Sequence, residues 1–308
     1  MTPLVVIVGP TASGKSDLAV AVAKAVGGEV INADSMQLYQ GMDIGTAKLS
    51  LDERQGIPHH LLDIWSVTTT ASLAEFQTLA RAAIKQLHER DMIPVLVGGS
   101  GMYVHAVVDN WQIPGTDPSI RAGLQRDLDE LGPEQLYARL EALDPVAAES
   151  ILPTNGRRIV RALEVVELQG SFTAQLPRPD DSGDRLLFGL DVPRDVLDER
   201  IIQRVDWMWD KGLVGEVRDL VDMGLRDGET ARRALGYAQV LSHFDGVSTE
   251  QEAHADTVRG TKRLARRQGS WFRRDTRISW LRAGKDEAVE QIVARVQGVT
   301  GTSRTLQG

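Results

Sequence analysis

Residues 9–16 read Gly-Pro-Thr-Ala-Ser-Gly-Lys-Ser, and no other stretch constrains the fold as strongly. The octet fits the phosphate-loop pattern G-x-x-x-x-G-K-[ST] at every position. Leu4-Val5-Val6-Ile7-Val8 before it reads as a buried strand. From Ser16 onward, Leu18, Ala19, Val22, Ala23 and Val26 recur at helical spacing. Strand, loop and helix in this order form a cradle for phosphate. Gly9 and Gly14 let the backbone curl inward, and the helix start adds its positive dipole end. Within the loop Gly9, Pro10, Thr11, Ala12, Ser13 and Gly14 are the backbone donors and turn formers. Lys15 supplies a point charge, and the Ser16 hydroxyl is placed to hold Mg²⁺.

Enzymes that move the γ-phosphate of a nucleotide usually place an Asp after a second apolar strand to position Mg²⁺. The corresponding strand here, Ile93-Pro94-Val95-Leu96-Val97, runs into Gly98-Gly99-Ser100-Gly101 and carries no acid. That points to a diphosphate ligand other than simple ATP or GTP. A further strand, Glu29-Val30-Ile31-Asn32-Ala33, ends at Asp34-Ser35. Strands alternating with helices imply an α/β fold, a parallel phosphate-loop sheet flanked by helices. Ligands of such sheets lie beyond the strands' carboxyl ends, where the loop, Asp34 and Ser100 all fall. Asp34 suits Mg²⁺ binding, holding a substrate hydroxyl, or general-base work; it equally suits a capping role at a turn.

From residue 116 to about 170 the signals become helical, so the chain reads as a core of residues 1–115 and 184–296 interrupted by a helical insert, 116–183. The Pro- and Asp-rich stretch 177–184 reads as the return linker, and the small, polar residues 297–308 as a disordered tail. Cysteine is absent, which excludes disulfides and thiolate metal sites. No apolar run is long enough to cross a bilayer and no leader is evident, so a cytoplasmic protein without membrane contact is expected; a monomer is expected as well.

The formal charge of −8 argues against a nucleic-acid partner, but its distribution reverses the argument. Arg259, Lys262, Arg263, Arg266, Arg267, Arg273, Arg274, Arg277 and Arg282 crowd a stretch whose one acid is Asp275. On a helix, Arg259, Arg263, Arg266 and Arg273 share a face. Arg157, Arg158 and Arg161 form a second cationic group at the start of the insert's last helix. His59-His60 show no metal spacing, and Trp207 and Trp209 read as packing residues.

Several strings, taken together, resemble one family. They are the loop Gly9–Ser16, Asp34-Ser35, Tyr39-Gln40-Gly41-Met42-Asp43-Ile44-Gly45-Thr46-Ala47-Lys48 and Pro58-His59-His60-Leu61-Leu62-Asp63. Leu96–Ser100, Leu235-Gly236-Tyr237 and Ala265-Arg266-Arg267-Gln268-Gly269-Ser270-Trp271 complete the set. Over about residues 4–282 the chain resembles the bacterial tRNA dimethylallyltransferases, or isopentenyl-diphosphate:tRNA transferases. The resemblance implies transfer of a dimethylallyl group from dimethylallyl diphosphate to N6 of the adenosine next to the anticodon, A37, with Mg²⁺. It implies Asp34 as general base, Ser100 (where the family commonly has Thr) orienting the reacting groups, and Lys15 and Arg204 on the diphosphate. It implies tRNA contacts, with the anticodon stem-loop, from Asp34, Ser35, Met36, Gln37, Ser100, Arg121, Arg157, Arg158, Arg161, Arg233, Arg266, Arg267, Gln268 and Arg273. A prenyltransferase of free adenine nucleotides, a small-molecule kinase and a nucleotide-switch RNA-binding protein remain rivals, since each would share the phosphate loop.

Overall fold

The computed structural model describes residues 2–173, 185–282 and 284–305. By contact, the chain divides into two compact units, one within Met1–Val108 and Asp181–Gly308, the other within Asp109–Asp180.

The larger unit is built on six strands: β1 Leu4–Val8, β2 Gly28–Asn32, β3 His59–His60, β4 Ile93–Gly98, β5 Arg185–Leu190 and β6 Ser279–Leu281. All pair in parallel, in the order β3-β2-β4-β1-β5-β6. The central strands are buried on both faces, which is why they read as unbroken apolar runs. Their side chains still alternate. Leu4, Val6 and Val8 enter one core with Leu96, while Val5 and Ile7 enter the other with Val95 and Val97.

Helices cover both faces. In this unit they are α1 Lys15–Val26, α2 Leu73–Glu89 and α3 Gly101–Val108, and, after the smaller unit's α4–α7, α8 Arg194–Asp210, α9 Leu213–Asp222, α10 Tyr237–Phe244, α11 Glu250–Phe272 and α12 Lys285–Thr305. The first core takes Phe76, Ala80 and Leu87 of α2 and Phe272 of α11; the second takes Leu18 and Val22 of α1 and Ala288, Ile292 and Val296 of α12. α8 and α9 form one apolar-periodic stretch in the sequence, but Gly212, at φ 95°, breaks it.

The smaller unit packs α4 Pro118–Leu131, α5 Pro133–Leu143, α6 Pro145–Glu149 and α7 Gly156–Gln169 around Leu124, Leu136, Leu140, Ile159 and Leu163. Asp117, Asp144 and Asn155 cap helix starts by accepting backbone N–H groups, and Gly170, at φ 85°, closes α7.

Two expectations from sequence change. Residues 297–305 are not a disordered tail but the last turns of α12. Burial of Ala288, Ile292 and Val296 holds the first part of that helix, and helix propagation carries it on into polar residues. The division between units follows Val108 rather than residue 115. Arg161 of α7 accounts for this, since it donates to Pro114 O (2.7 Å) and Gly115 O (3.0 Å) and so draws that segment into the smaller unit. The linker at 177–184 lies outside the described residues.

Candidate active site

The carboxyl ends of β1, β2 and β4 gather the loop, Asp34 and Ser100. In the loop, Gly14 caps α1 at φ 87°, a left-handed conformation that glycine adopts without strain. Ala12 takes φ 63° without that freedom. Ser13 N–H donates to Pro10 O (3.3 Å). The Lys15 ammonium folds back onto the same carbonyl (3.3 Å). Burial lowers the Lys15 pKa to about 8; nearby Asp34 opposes the fall and Arg204 adds to it. Burial also lowers the Arg204 pKa, against the pull of Asp17 and Asp34. The two cations and the Asp34 carboxylate therefore share one electrostatic neighbourhood. Arg204 reaches the loop through the Thr11 hydroxyl, at 3.4 Å. A cavity of about 490 Å³ opens beside the loop, lined among others by Ser13, Gly14, Arg200 and Arg204.

Asp34 sits in a tight turn after β2. Its N–H donates to Asn32 Oδ1 (2.9 Å), and its Oδ1 accepts the Met36 N–H (3.0 Å). Its Oδ2 has no hydrogen-bond partner among the described residues. The carboxylate thus both caps the turn and keeps one oxygen available. Ser100 Oγ lies 3.3 Å from both Ser35 N and Ser35 Oγ, which fastens the end of β4 to the residue after Asp34. Tyr103, one turn into α3, lies close enough for Asp34 and Tyr39 to raise its pKa, though burial raises it more.

The glycines after β4 have steric reasons. A Cβ at Gly98 would stand 2.4 Å from Ala33 O, one at Gly99 2.6 Å from Gln268 Nε2, and one at Gly101 2.3 Å from Trp271 Cδ1. Backbone and the Trp271 ring therefore leave no room for a side chain at Gly98 or Gly101, and Ser100 carries the one side chain of this turn.

The loop after β2 is held from afar. Glu216 of α9 accepts the N–H groups of Asp43 (3.2 Å), Ile44 (2.6 Å) and Gly45 (3.2 Å) and the Tyr237 hydroxyl (2.5 Å). Gly45 has no room for a Cβ, because the Tyr237 ring would lie 2.5 Å away. Lys48 is buried between Asp43 and Asp63 and donates to Tyr39 O (3.1 Å). Gln37 Nε2 donates to Thr46 O (3.1 Å). The string from Gly41 to Lys48 is therefore a brace for the Asp34–Gln37 turn. The sequence offered no sign of Glu216 in this role, since it lies far along the chain from the residues it binds.

The cationic residues separate into two kinds. On α11, Arg267 and Arg263 are exposed with no carboxylate in reach among the described residues, and so is Arg274 just beyond the helix. Arg266 is exposed, with Asp198 at 3.8 Å. Arg273 caps α11 rather than lying within it; it pairs with Asp191 and stands over the Trp280 ring at 4.7 Å. Acids distant in sequence thus neutralise part of a run that looks almost acid-free. Arg233 is exposed, and Trp207 is exposed as well rather than packed inside.

In the smaller unit Arg157 and Arg158 are exposed. Arg121 (2.6 Å) and Arg161 (2.7 Å) instead bind Glu164, whose side chain is fully buried. Burial opposes ionisation of Glu164, but these two guanidinium groups hold its pKa below the usual carboxylate range. A buried carboxylate needs such partners; Arg161 in particular is tied to its own unit.

Magnesium fits this donor set. Mg²⁺ keeps several waters and takes one or two protein oxygens beside phosphate, rather than a full protein cage. Ser16 stands in the first turn of α1, directly after the loop. The Ser13 hydroxyl is buried with no hydrogen-bond partner among the described residues, a polar atom suited to a bound oxyanion.

The IPP transferase family model matches residues 37–275. The chain belongs to that family. It is 60% identical over 288 residues to a tRNA dimethylallyltransferase of Streptomyces coelicolor, covering 93% of this chain and 92% of that one. It is 57% identical over 302 residues to one of Thermobifida fusca, covering 96% and 95%. Among solved structures, the tRNA isopentenylpyrophosphate transferase of Bacillus halodurans superposes with a TM-score of 0.75 at 39% identity, covering 100% of this chain and 99% of that one. A eukaryotic dimethylallyltransferase acting on tRNA superposes with a TM-score of 0.73 at 26% identity, covering 88% and 70%.

Proposed function

We propose that this chain transfers the dimethylallyl group of dimethylallyl diphosphate to N6 of adenosine 37, beside the anticodon of tRNA, and releases diphosphate. The observation that carries the reading is the shared neighbourhood of a phosphate loop, two buried cations and a carboxylate with one oxygen unengaged. Names of relatives over nearly the whole chain support it.

The adenine N6 lone pair forms the new bond to the allylic carbon as the carbon–oxygen bond to diphosphate breaks. Asp34 Oδ2 takes the N6 proton, a contribution of about 10²–10⁴-fold. Loop N–H groups, Lys15 and Arg204 stabilise charge gathering on the departing oxygen. Ser16 Oγ would hold Mg²⁺, which would supply further neutralisation of the departing diphosphate. Ser100, tied to Ser35, fixes the turn that carries the base. The adenine leaves its stack to reach the carboxylate. Exposed cations, Arg157 and Arg158 on the smaller unit and Arg233, Arg266 and Arg267 on the larger, bind the phosphates of the anticodon stem-loop. A cytoplasmic location follows from that substrate.

Labelled dimethylallyl diphosphate incubated with bulk tRNA should yield labelled tRNA. Label on AMP instead would establish the free-nucleotide rival, and phosphate transfer from ATP without prenyl transfer would establish the kinase.

A further inference from the structure

Gln268 stands on α11 directly after Arg266 and Arg267, yet its side chain turns away from them. Its Oε1 accepts the Thr11 N–H at 2.8 Å, across 257 residues of chain. Its Nε2 fills the space that a Cβ at Gly99 would need. One amide thus touches the diphosphate loop and the residue before Ser100. Pro10 has no N–H, so the Thr11 N–H is the first donor after Gly9. With that donor directed to Gln268 and the Ser13 N–H bonded to Pro10 O, the peptide plane of Thr11 is fixed, and the amides at the start of α1 are left for an anion. The Thr11 hydroxyl beside Arg204 is fixed with it. On the other side, Gly99 leads to Ser100 and through Ser35 to the Asp34 turn.

Resting on the prenyl-transfer reading above, we propose that Gln268 is a positioning residue, not an RNA contact: it sets the diphosphate loop and the Ser100 turn at a fixed separation, so that leaving group and base act on the same carbon. The helix that carries it also presents Arg266 and Arg267, so the loop is registered to the RNA-facing helix itself. Misplacement of reacting groups by about 1 Å lowers turnover by on the order of 10²-fold.

Three variants test this. Gln268→Met keeps the bulk and removes the acceptor. Gln268→Glu keeps the acceptor for the Thr11 N–H and adds a charge near the diphosphate. Gly99→Ala displaces the Gln268 amide from the opposite side, at a position outside the RNA-facing helix. Prenyl transfer, inorganic pyrophosphate binding by calorimetry without RNA, and tRNA binding at several salt concentrations are measured for each.

Gln268→Met should lower kcat by roughly 10–100-fold and weaken pyrophosphate binding, with tRNA affinity and its salt slope unchanged. Gln268→Glu should recover kcat at saturating donor but raise the donor KM. Gly99→Ala should resemble Gln268→Met, and the double variant should be no worse than the poorer single one. Weakened tRNA binding with kcat and pyrophosphate affinity intact would make Gln268 an RNA contact and overturn the proposal. So would a uniform loss of melting temperature and both affinities that Gln268→Glu does not relieve. If the wild-type protein labels no tRNA, the functional reading fails; the pyrophosphate measurements on Gln268 and Gly99 variants still decide whether the brace sets the loop.

Discussion

The Lys15 ammonium gives the most quantitative prediction. Its pKa in the free protein is about 8, against an ordinary 10.5, because burial disfavours its charged form. A bound diphosphate places several negative oxygens on that ammonium and raises its pKa again. Donor binding therefore takes up a proton wherever the free protein has lost it. Below about pH 8 Lys15 is already charged and affinity is flat. Above it, each pH unit weakens binding tenfold until the bound-state pKa is reached. With a pKa of about 8, the Kd at pH 9 should be roughly ten times that at pH 7.

The same shift sets a stability term of opposite trend. The folded pKa lies below the unfolded one, so the fold disfavours the charged lysine by about 3 kcal/mol. That penalty is complete below about pH 8 and fades as pH rises toward 10.5. The assay is calorimetry with an uncleavable dimethylallyl thiolodiphosphate between pH 7 and 9.5, in wild type and Lys15→Met. Wild type should show the step and Lys15→Met should not, which subtracts any titration of the ligand. A flat wild-type profile, or a step that survives in Lys15→Met, would refute the assignment of the buried cation.

Other substitutions separate roles that overlap in the wild-type site. Asp34→Asn keeps an acceptor for the Met36 N–H and so preserves the turn; turnover should still fall by about 10²–10⁴-fold with tRNA affinity retained, and unchanged turnover would remove Asp34 as the base. Glu216→Ala takes the acceptor from three loop N–H groups and from Tyr237, and urea unfolding should show a loss of about 3 kcal/mol; an unchanged midpoint would mean the brace is dispensable. Arg266→Ala with Arg267→Ala should weaken tRNA binding and shallow its log–log salt slope by about 1.5, whereas Arg161→Ala should lower melting temperature with the salt slope intact, because it strips a partner from buried Glu164. Equal effects of the two changes on the slope would place Arg161 on the RNA.

Much of the site was legible because its signals are local. The phosphate loop needs glycine at particular φ values and a helix directly behind it, and both requirements are met by adjacent residues. Asp34 and Ser100 follow apolar strands, and a parallel sheet brings strand ends together whatever surrounds them. Resemblance to a known family then supplied the chemistry that spacing left open.

Contacts between distant segments carry no such periodic mark. β6 has three residues, and α12 opens on Lys-Asp-Glu and ends polar, so neither stands out until the sheet receives them. The acids that neutralise α11, the Arg121–Glu164 pair and the Glu216 brace join residues from separate parts of the chain. Gln268 is the clearest case. In sequence it belongs to a basic, RNA-like string. Only the fold turns its amide onto Thr11, because helix packing, which no short window of residues encodes, decides which side of α11 faces the strand ends.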